Sequence, residues 1–561
     1  MTLIGRSPDV LFEPNVGMRT RDGLRLAADV YRPNAPGQFP TLLMRLPYGR
    51  DVASTPVYAH PTWYSRQGYV VVIQDVRGRG DSEGTFYPAR TEAEDGYDAV
   101  EWAAALPSSD GNVGMYGFSY QGLVQLLAAA QQPPHLKAIV PAMAGTGMYD
   151  GWAYHRGCFA LAFNLSWALQ LATQEAWRKH DDQSATTLLD ASADIHKLFG
   201  RLPIGDQPIL ELAPYYKDWV VHDTDDAYWQ PSDVVRLWVD IHVPALHIGG
   251  WFDIFSDKPA RNYRGMQQSA ANKLVVGPWA HIPWSRYTAA LDFGADANGV
   301  PINELQVRWF DRWLKGIDNG VDREDPISLF ATGVDQWCQR SGLENTAQRT
   351  LYLSSRGRAN SLAGDGRLVS THPSTEPADA YVYEPLVPTW VAGPQPFLPV
   401  LTLGPHDQRP VERFNNVLVY TTEPREQELE VCGRPKLHLW ISSTAPDTDF
   451  IAKLVDVHPD GYAQLVCLAP LRARFRHSLA EPRPLDPNVP SQLEMVFPLV
   501  CHTFRPRHAI RLEIASSCFP LLDRNPNTGT SAWRASPTEF RTATQTVFHD
   551  AEHPSRIILP V

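Results

Sequence analysis

Along the first 140 residues, short apolar runs alternate with stretches of helical spacing. Residues 41–46 are a mainly apolar run, and 69–75 are apolar and β-branched, as parallel strands covered on both faces require. Residues 137–141 form a third such run. Between them, 91–105 begin with an acidic turn and continue as an apolar stripe, the pattern of a helix start. Residues 18–32 alternate around Asp22-Gly23, which predicts a hairpin. Strands alternating with helices predict a doubly wound α/β sheet.

From about 145 to 240 the strand rhythm disappears. Residues 158–179 and 186–199 have helical spacing and the region holds Trp152, Trp167, Trp177, Trp219 and Trp229, so a helical cap inserted over the sheet is expected. Strand runs return at 243–249 and 273–277, followed by a helix at 302–314. After 350 the pattern becomes short strands between Pro, Gly and Asn turns, at 416–421, 435–441, 450–457, 463–468, 494–500 and 509–516. Gly-Pro-Gln-Pro at 393–396 reads as loop punctuation among them. The expected division is an α/β-hydrolase core in two parts (1–144 and 241–350), a helical cap (145–240) and a C-terminal jelly-roll β-sandwich (351–561).

A chain of 561 residues exceeds what one core supports, in keeping with several domains. A net charge of −12 argues against a nucleic-acid or anionic-membrane partner. The N-terminus has no basic segment followed by a long apolar one, and no window approaches 18 uninterrupted apolar residues. A cytoplasmic protein is therefore expected. Six cysteines without a C-x-x-C pair are expected to be buried free thiols. No metal or cofactor motif is present, and a homo-oligomer is left open.

The chemistry concentrates at residues 112–130, a short strand, the turn Gly117-Phe118-Ser119-Tyr120-Gln121-Gly122 and a Leu/Ala-rich helix. This is the strand–turn–helix context that a nucleophile elbow of the G-x-S-x-G type requires. Such a turn strains the serine backbone and needs small residues two before and three after it, here Gly117 and Gly122. The helix N–H groups beside Ser119 welcome developing negative charge.

A serine hydroxyl needs a base, and the base needs a carboxylate that sets its tautomer. In α/β-hydrolases these follow the serine as acid and then histidine, at the carboxyl ends of strands. Two strands are expected between the cap and the all-β region. The first empties into Gly250-Trp251-Phe252-Asp253, the second into Pro278-Trp279-Ala280-His281, so Asp253 and His281 are the candidates. Asp257 reads instead as a helix-capping carboxylate, His247 as a satisfied structural histidine, and His242 precedes its strand. The oxyanion needs donors. The Tyr120 amide is one; the loop after the early strand lacks a His-Gly-Gly-Gly device, and the Tyr48 hydroxyl could serve there. The Gly-rich loop 76–84 contains Arg79-Gly80-Asp81, read as backbone turning rather than as an adhesion motif.

Leu46-Pro47-Tyr48, Asp75-Val76-Arg77-Gly78, the Gly114–Tyr120 run, Gly250-Trp251-Phe252-Asp253 and the Val276–His281 run together resemble the cocaine esterase / X-Pro dipeptidyl-peptidase family of serine hydrolases. The similarity continues through Asp447-Thr448-Asp449-Phe450 and Asp523-Arg524-Asn525-Pro526-Asn527 and ends at Glu552-His553-Pro554-Ser555. The resemblance implies a capped α/β-hydrolase with a C-terminal jelly roll, the triad Ser119–His281–Asp253, and an oxyanion hole of the Tyr48 hydroxyl and Tyr120 amide. It also implies an acyl pocket walled by Trp152, Trp167 and Phe255. Two departures stand out: residues 51–60 lack the glutamine of cocaine esterase, and the cap between 153 and 240 differs widely. They bear on a tropane-ester substrate, not on the chemistry.

The expected activity is hydrolysis of small apolar or aromatic acyl esters through an acyl-enzyme, without a cofactor. The alternatives are an X-Pro dipeptidyl peptidase or α-amino-acyl ester hydrolase, which need carboxylates for a free amine, and a non-catalytic binding protein.

Overall fold

Ten strands form the first sheet of the computed structural model, which describes residues 9–267, 271–281, 284–393 and 404–561. They are β1 (Val10–Arg19), β2 (Arg25–Pro33), β3 (Phe39–Leu46), β4 (Val70–Asp75), β5 (Ser109–Phe118), β6 (Leu136–Ala142), β7 (Ala245–Gly250), β8 (Asn272–Gly277), β9 (Ile327–Ala331) and β10 (Gln336–Arg340). Their order is β1-β2-β4-β3-β5-β6-β7-β8-β9-β10, and the neighbours from β4 through β9 run parallel. The expected hairpin is β1–β2, pairing Arg19 with Arg25 across the Asp22-Gly23 turn. The parallel strands are rich in apolar residues because both faces are covered: β4 is buried at all of its positions, Gln74 and Asp75 included. Helix Tyr120–Ala130 lies against one face and helix Ile302–Leu314 against the other.

Two expectations are corrected. More than two strands follow the helical insertion, since β9 pairs with β8 and β10 closes the sheet as an antiparallel edge. The run expected at 494–500 is two strands, Ser491–Val496 and Val500–Phe504, with Pro498 in the break, where it cannot donate to a ladder. The 393–396 loop lies, from residue 394 onward, outside the described residues.

Between β6 and β7 the chain carries several helices, led by Leu161–Arg178, Asp182–Ala193 and Ile195–Gly200. Beyond residue 348 the chain is almost entirely β, with one large mainly antiparallel sheet and the separate pair Leu429–Gly433 with Val500–Phe504. This C-terminal β domain seats itself on the insertion through a buried polar network. Arg472 pairs with Asp449 at 2.8 Å and with Asp523 at 2.8 Å, and Asp523 accepts the Phe159 amide at 2.9 Å. Asn525 donates to Asp447 and Asp449, so the Asp-Thr-Asp and Asp-Arg-Asn-Pro-Asn segments meet here. All six cysteines are free thiols, Cys338 half-buried and the others buried. Among the described residues no helix is long and apolar enough to cross a membrane.

Candidate active site

The strand-to-helix turn at Ser119 is strained as the motif requires. Its backbone has φ 62° and ψ −125°, a conformation an L-residue adopts only when its surroundings impose it. The Ser119 amide donates to Ala142 O at 2.9 Å, and its carbonyl accepts from Gly122 and Leu123. The second glycine stands one position later than in G-x-S-x-G, and packing explains why. A Cβ on Gly122 would stand 2.8 Å from both Ala142 O and the Ala144 Cβ; one on Gly117, at φ +143°, would stand 2.6 Å from the Gln121 Cβ.

Ser119, His281 and Asp253 form a continuous hydrogen-bonded chain. His281 Nε2 lies 3.0 Å from Ser119 Oγ and its Nδ1 2.7 Å from Asp253 Oδ1. Asp253 follows β7 and His281 follows β8, while Ser119 follows β5, so all three sit at carboxyl ends of parallel strands. All three residues are buried. Asp253 Oδ1 also accepts the Phe255 amide at 3.2 Å, and the imidazole is held between the rings of Phe118 and Phe255, each 5.6 Å away.

Tyr48 follows β3, the neighbour of β5, and its hydroxyl lies near Ser119. The Trp167 indole N–H donates to that hydroxyl at 3.2 Å. Burial pushes the Tyr48 pKa up to about 12, against smaller lowering effects of Trp167, Arg79 and Ser119. The hydroxyl therefore keeps its proton at neutral pH. Tyr120 is the first residue of its helix, where backbone N–H groups have no intrahelical partner. Its side chain points elsewhere: the hydroxyl donates to Glu92 at 2.8 Å and accepts the Ala89 amide, and Glu92 is paired with Arg45 at 2.8 Å.

Two arginines to which sequence reasoning gave no role at the site, Arg79 and Arg50, hold the Tyr48 loop. Arg79, 2% exposed, donates from Nε to Pro47 O at 2.9 Å and from Nη1 to Leu171 O at 3.2 Å, tying the loop to the insertion. Arg50 pairs with Asp29, Asp75 and Asp81 at 2.9, 2.6 and 2.6 Å. The Arg79-Gly80-Asp81 sequence thus turns inward at its arginine. Its position immediately after β4, at the carboxyl end of the sheet, was the available signal.

Trp152, Trp167 and Phe255 are brought together. Trp152 lies 5.0 Å from Trp167 and 4.7 Å from Phe255, ring centre to ring centre, and Phe163 completes the wall at 5.7 Å from both Trp152 and Phe255. Behind it lies a cavity of about 520 Å³ whose walls include Trp152, Phe163, Phe255, Pro470 and Leu522 but not Ser119, Tyr48 or His281. Asp150 and Asp257 face this cavity already paired, Asp150 with Arg261 at 3.0 Å and Asp257 with Arg434 at 3.0 Å.

The competing candidates are placed away from this chain of bonds. Asp257 occupies a helix N-cap position without capping it; its carboxylate accepts the Leu499 amide at 3.0 Å and so joins the two domains. His247 lies within β7, where burial pushes its pKa down to about 3 against a smaller raising effect of a hydrogen bond with Asn272, so it is a packed neutral ring. His242 is exposed.

Residues 22–283 match the X-Pro dipeptidyl-peptidase (S15 family) domain, and residues 319–558 match the X-Pro dipeptidyl-peptidase C-terminal non-catalytic domain. The chain is 36% identical to the cocaine esterase of Rhodococcus sp. (strain MB1 Bresler), over 98% of each chain. Among solved structures it is similar to an alpha-amino acid ester hydrolase, with 25% identity, a TM-score of 0.81, and coverage of 100% of this chain and 98% of that one. It is also similar to an aminopeptidase from a marine sediment Thaumarchaeota archaeon, with 25% identity, a TM-score of 0.80, and coverage of 99% and 97%.

Proposed function

Because this chain belongs to the cocaine esterase / X-Pro dipeptidyl-peptidase (S15) family of serine hydrolases, we propose that it is a carboxylic-ester hydrolase acting on small apolar or aromatic acyl esters. The observation that carries this reading is the Ser119–His281–Asp253 hydrogen-bonded chain with the Tyr48 hydroxyl beside Ser119.

His281 Nε2 takes the Ser119 proton as Oγ attacks the ester carbonyl, and Asp253 holds the opposite ring nitrogen and stabilises the imidazolium. The Tyr48 hydroxyl and the Tyr120 amide donate to the oxyanion. Collapse breaks the bond to the alcohol oxygen, which leaves with the proton from His281. A water then gives its proton to His281 and attacks the acyl carbonyl; the acid departs and Ser119 recovers its proton. The wall of Trp152, Phe163, Trp167 and Phe255 suits an apolar acyl group. The helical insertion acts as the cap that supplies most of that wall, and the C-terminal β domain is read as a jelly roll that braces it.

An aminoacyl substrate would need an uncommitted carboxylate near the acyl group for its ammonium. Asp150 and Asp257 on the adjoining cavity are engaged by arginines, whereas Glu494 on the same wall has no ion-pair partner among the described residues, so substrate preference itself must separate the ester and aminoacyl readings. Rates on aryl acetate, butyrate and benzoate esters beside an X-Pro anilide, with Ser119→Ala as control, test the reading. Turnover of the esters alone, lost in the variant, is expected; preferred cleavage of the anilide would overturn the substrate class.

A further inference from the structure

The C-terminal β domain holds a cluster of titratable side chains that ester hydrolysis does not use. Asp456, 1% exposed near the end of strand Asp449–Val457, faces three imidazoles. His508 Nδ1 lies 2.9 and 3.0 Å from its two oxygens, His502 Nε2 lies 3.1 Å away and His458 Nε2 3.8 Å. His458 opens the turn before strand Ala463–Arg472, and His508 closes the turn before strand Ala509–Ala515. Their rings are 4.5 Å apart, tilted by 38°.

We propose that Asp456, His458 and His508 form a binding site for a divalent transition-metal ion of the zinc class. Their donor atoms all lie within 4.8 Å of one another. A tetrahedral ion with bonds of about 2.0–2.1 Å sets its ligand atoms about 3.3–3.4 Å apart, so the cluster closes on an ion with modest adjustments. Two imidazole nitrogens with one carboxylate suit zinc, cobalt or nickel, whereas calcium and magnesium prefer oxygen sets. An outer shell is already built. Gln464 Oε1, 3.1 Å from His458 Nε2, would give that nitrogen up to the ion, while His502 spans from the Asp456 carboxylate to the Thr332 hydroxyl, 2.9 Å from its Nδ1. Such partners orient metal ligands. His458, with 28% of its side chain exposed, leaves the fourth position open to solvent.

The ion would join two turns distant in sequence. Through His502 and Thr332, which directly follows β9, it would also brace the C-terminal domain against the first sheet. The role is structural and independent of the ester chemistry.

The test uses the untagged full chain, stripped with a chelator, and titrated with Zn²⁺ by calorimetry and with Co²⁺ by visible absorption. One equivalent is expected to bind, with tetrahedral cobalt bands, and saturating Zn²⁺ to raise the thermal midpoint by about 3–8 °C. His458→Ala and His508→Ala should each weaken binding at least about tenfold and abolish that rise. Should His508→Ala fail to fold, His458→Ala at its partly exposed position carries the test. No binding, or binding and midpoint shifts unchanged in the folded variants, would overturn the site.

Discussion

The Trp167 indole of the helical insertion donates to the hydroxyl oxygen of Tyr48, 3.2 Å away on the loop that follows β3. That bond occupies an acceptor position on the phenol oxygen and leaves its proton free to turn toward Ser119. In the proposed mechanism Tyr48→Phe removes an oxyanion donor, and kcat should fall by roughly 10²–10³ with little change in KM. Trp167→Phe keeps the apolar wall but loses the orienting bond, so a fall of about fivefold in kcat is expected. Steady-state rates on one aryl ester measure both. Because burial holds the Tyr48 pKa near 12, the high-pH limb of the profile to pH 10 should not change between wild type and Trp167→Phe.

Arg79 should act on rate without touching substrate. Its bonds to Pro47 O and Leu171 O fix the Tyr48 loop against the insertion. Arg79→Gln leaves buried carbonyls short of donors, which costs about 1–3 kcal/mol of stability, seen in urea unfolding. A kcat loss of about tenfold should accompany it, while Arg79→Lys, which keeps a charge but not the fork, recovers only part.

The elbow can be tested without altering a reacting group. Gly122→Ala places a methyl 2.8 Å from Ala142 O. The strand or the helix must then shift, at about 1–3 kcal/mol, and activity should fall because Ser119 moves relative to His281. A variant that unfolds at the wild-type denaturant midpoint would show that the close approach is not tight.

These predictions rest on features of unequal visibility in the chain. The parallel strands were legible because burial on both faces leaves β4 and β6 with mainly apolar runs, 70–73 and 138–142, and Ser119, Asp253 and His281 because each follows such a run. Strands β9 and β10 were not separable from the C-terminal strands, since short runs before an all-β region look alike until pairing assigns them. Arg45, Arg79 and Glu92 were invisible as core residues: a buried charge is recognisable only when its partner, far away in sequence, is known. Asp456 and His458 stand two residues apart, but His508 lies far along the chain and joins them only through the turn before strand Ala509–Ala515, so the set is not readable as a motif.

His549 supplies a pH signature of the β domain. Burial disfavours its cation, but the hydrogen bonds and charges of Asp379 at 2.9 Å and Glu376 at 3.0 Å outweigh this and raise its pKa above the usual 6.5. A raised folded-state value means the stabilisation is fully present below the unfolded-state pKa and is lost as pH rises through the folded one. His549→Gln should therefore cost about 1.5–3 kcal/mol at pH 5.5 and clearly less at pH 9, read from urea unfolding at the two pH values. An equal cost at both would contradict the charged pair.

The proposed nucleophile is tested most directly by treating the chain with a fluorophosphonate and mapping the adduct by peptide mass. A single adduct on Ser119 is expected, absent from Ser119→Ala and formed far more slowly in His281→Gln, with ester turnover in Ser119→Ala reduced on the order of 10⁶-fold. An adduct on another residue, or ester hydrolysis that persists at the wild-type rate in Ser119→Ala, would contradict it.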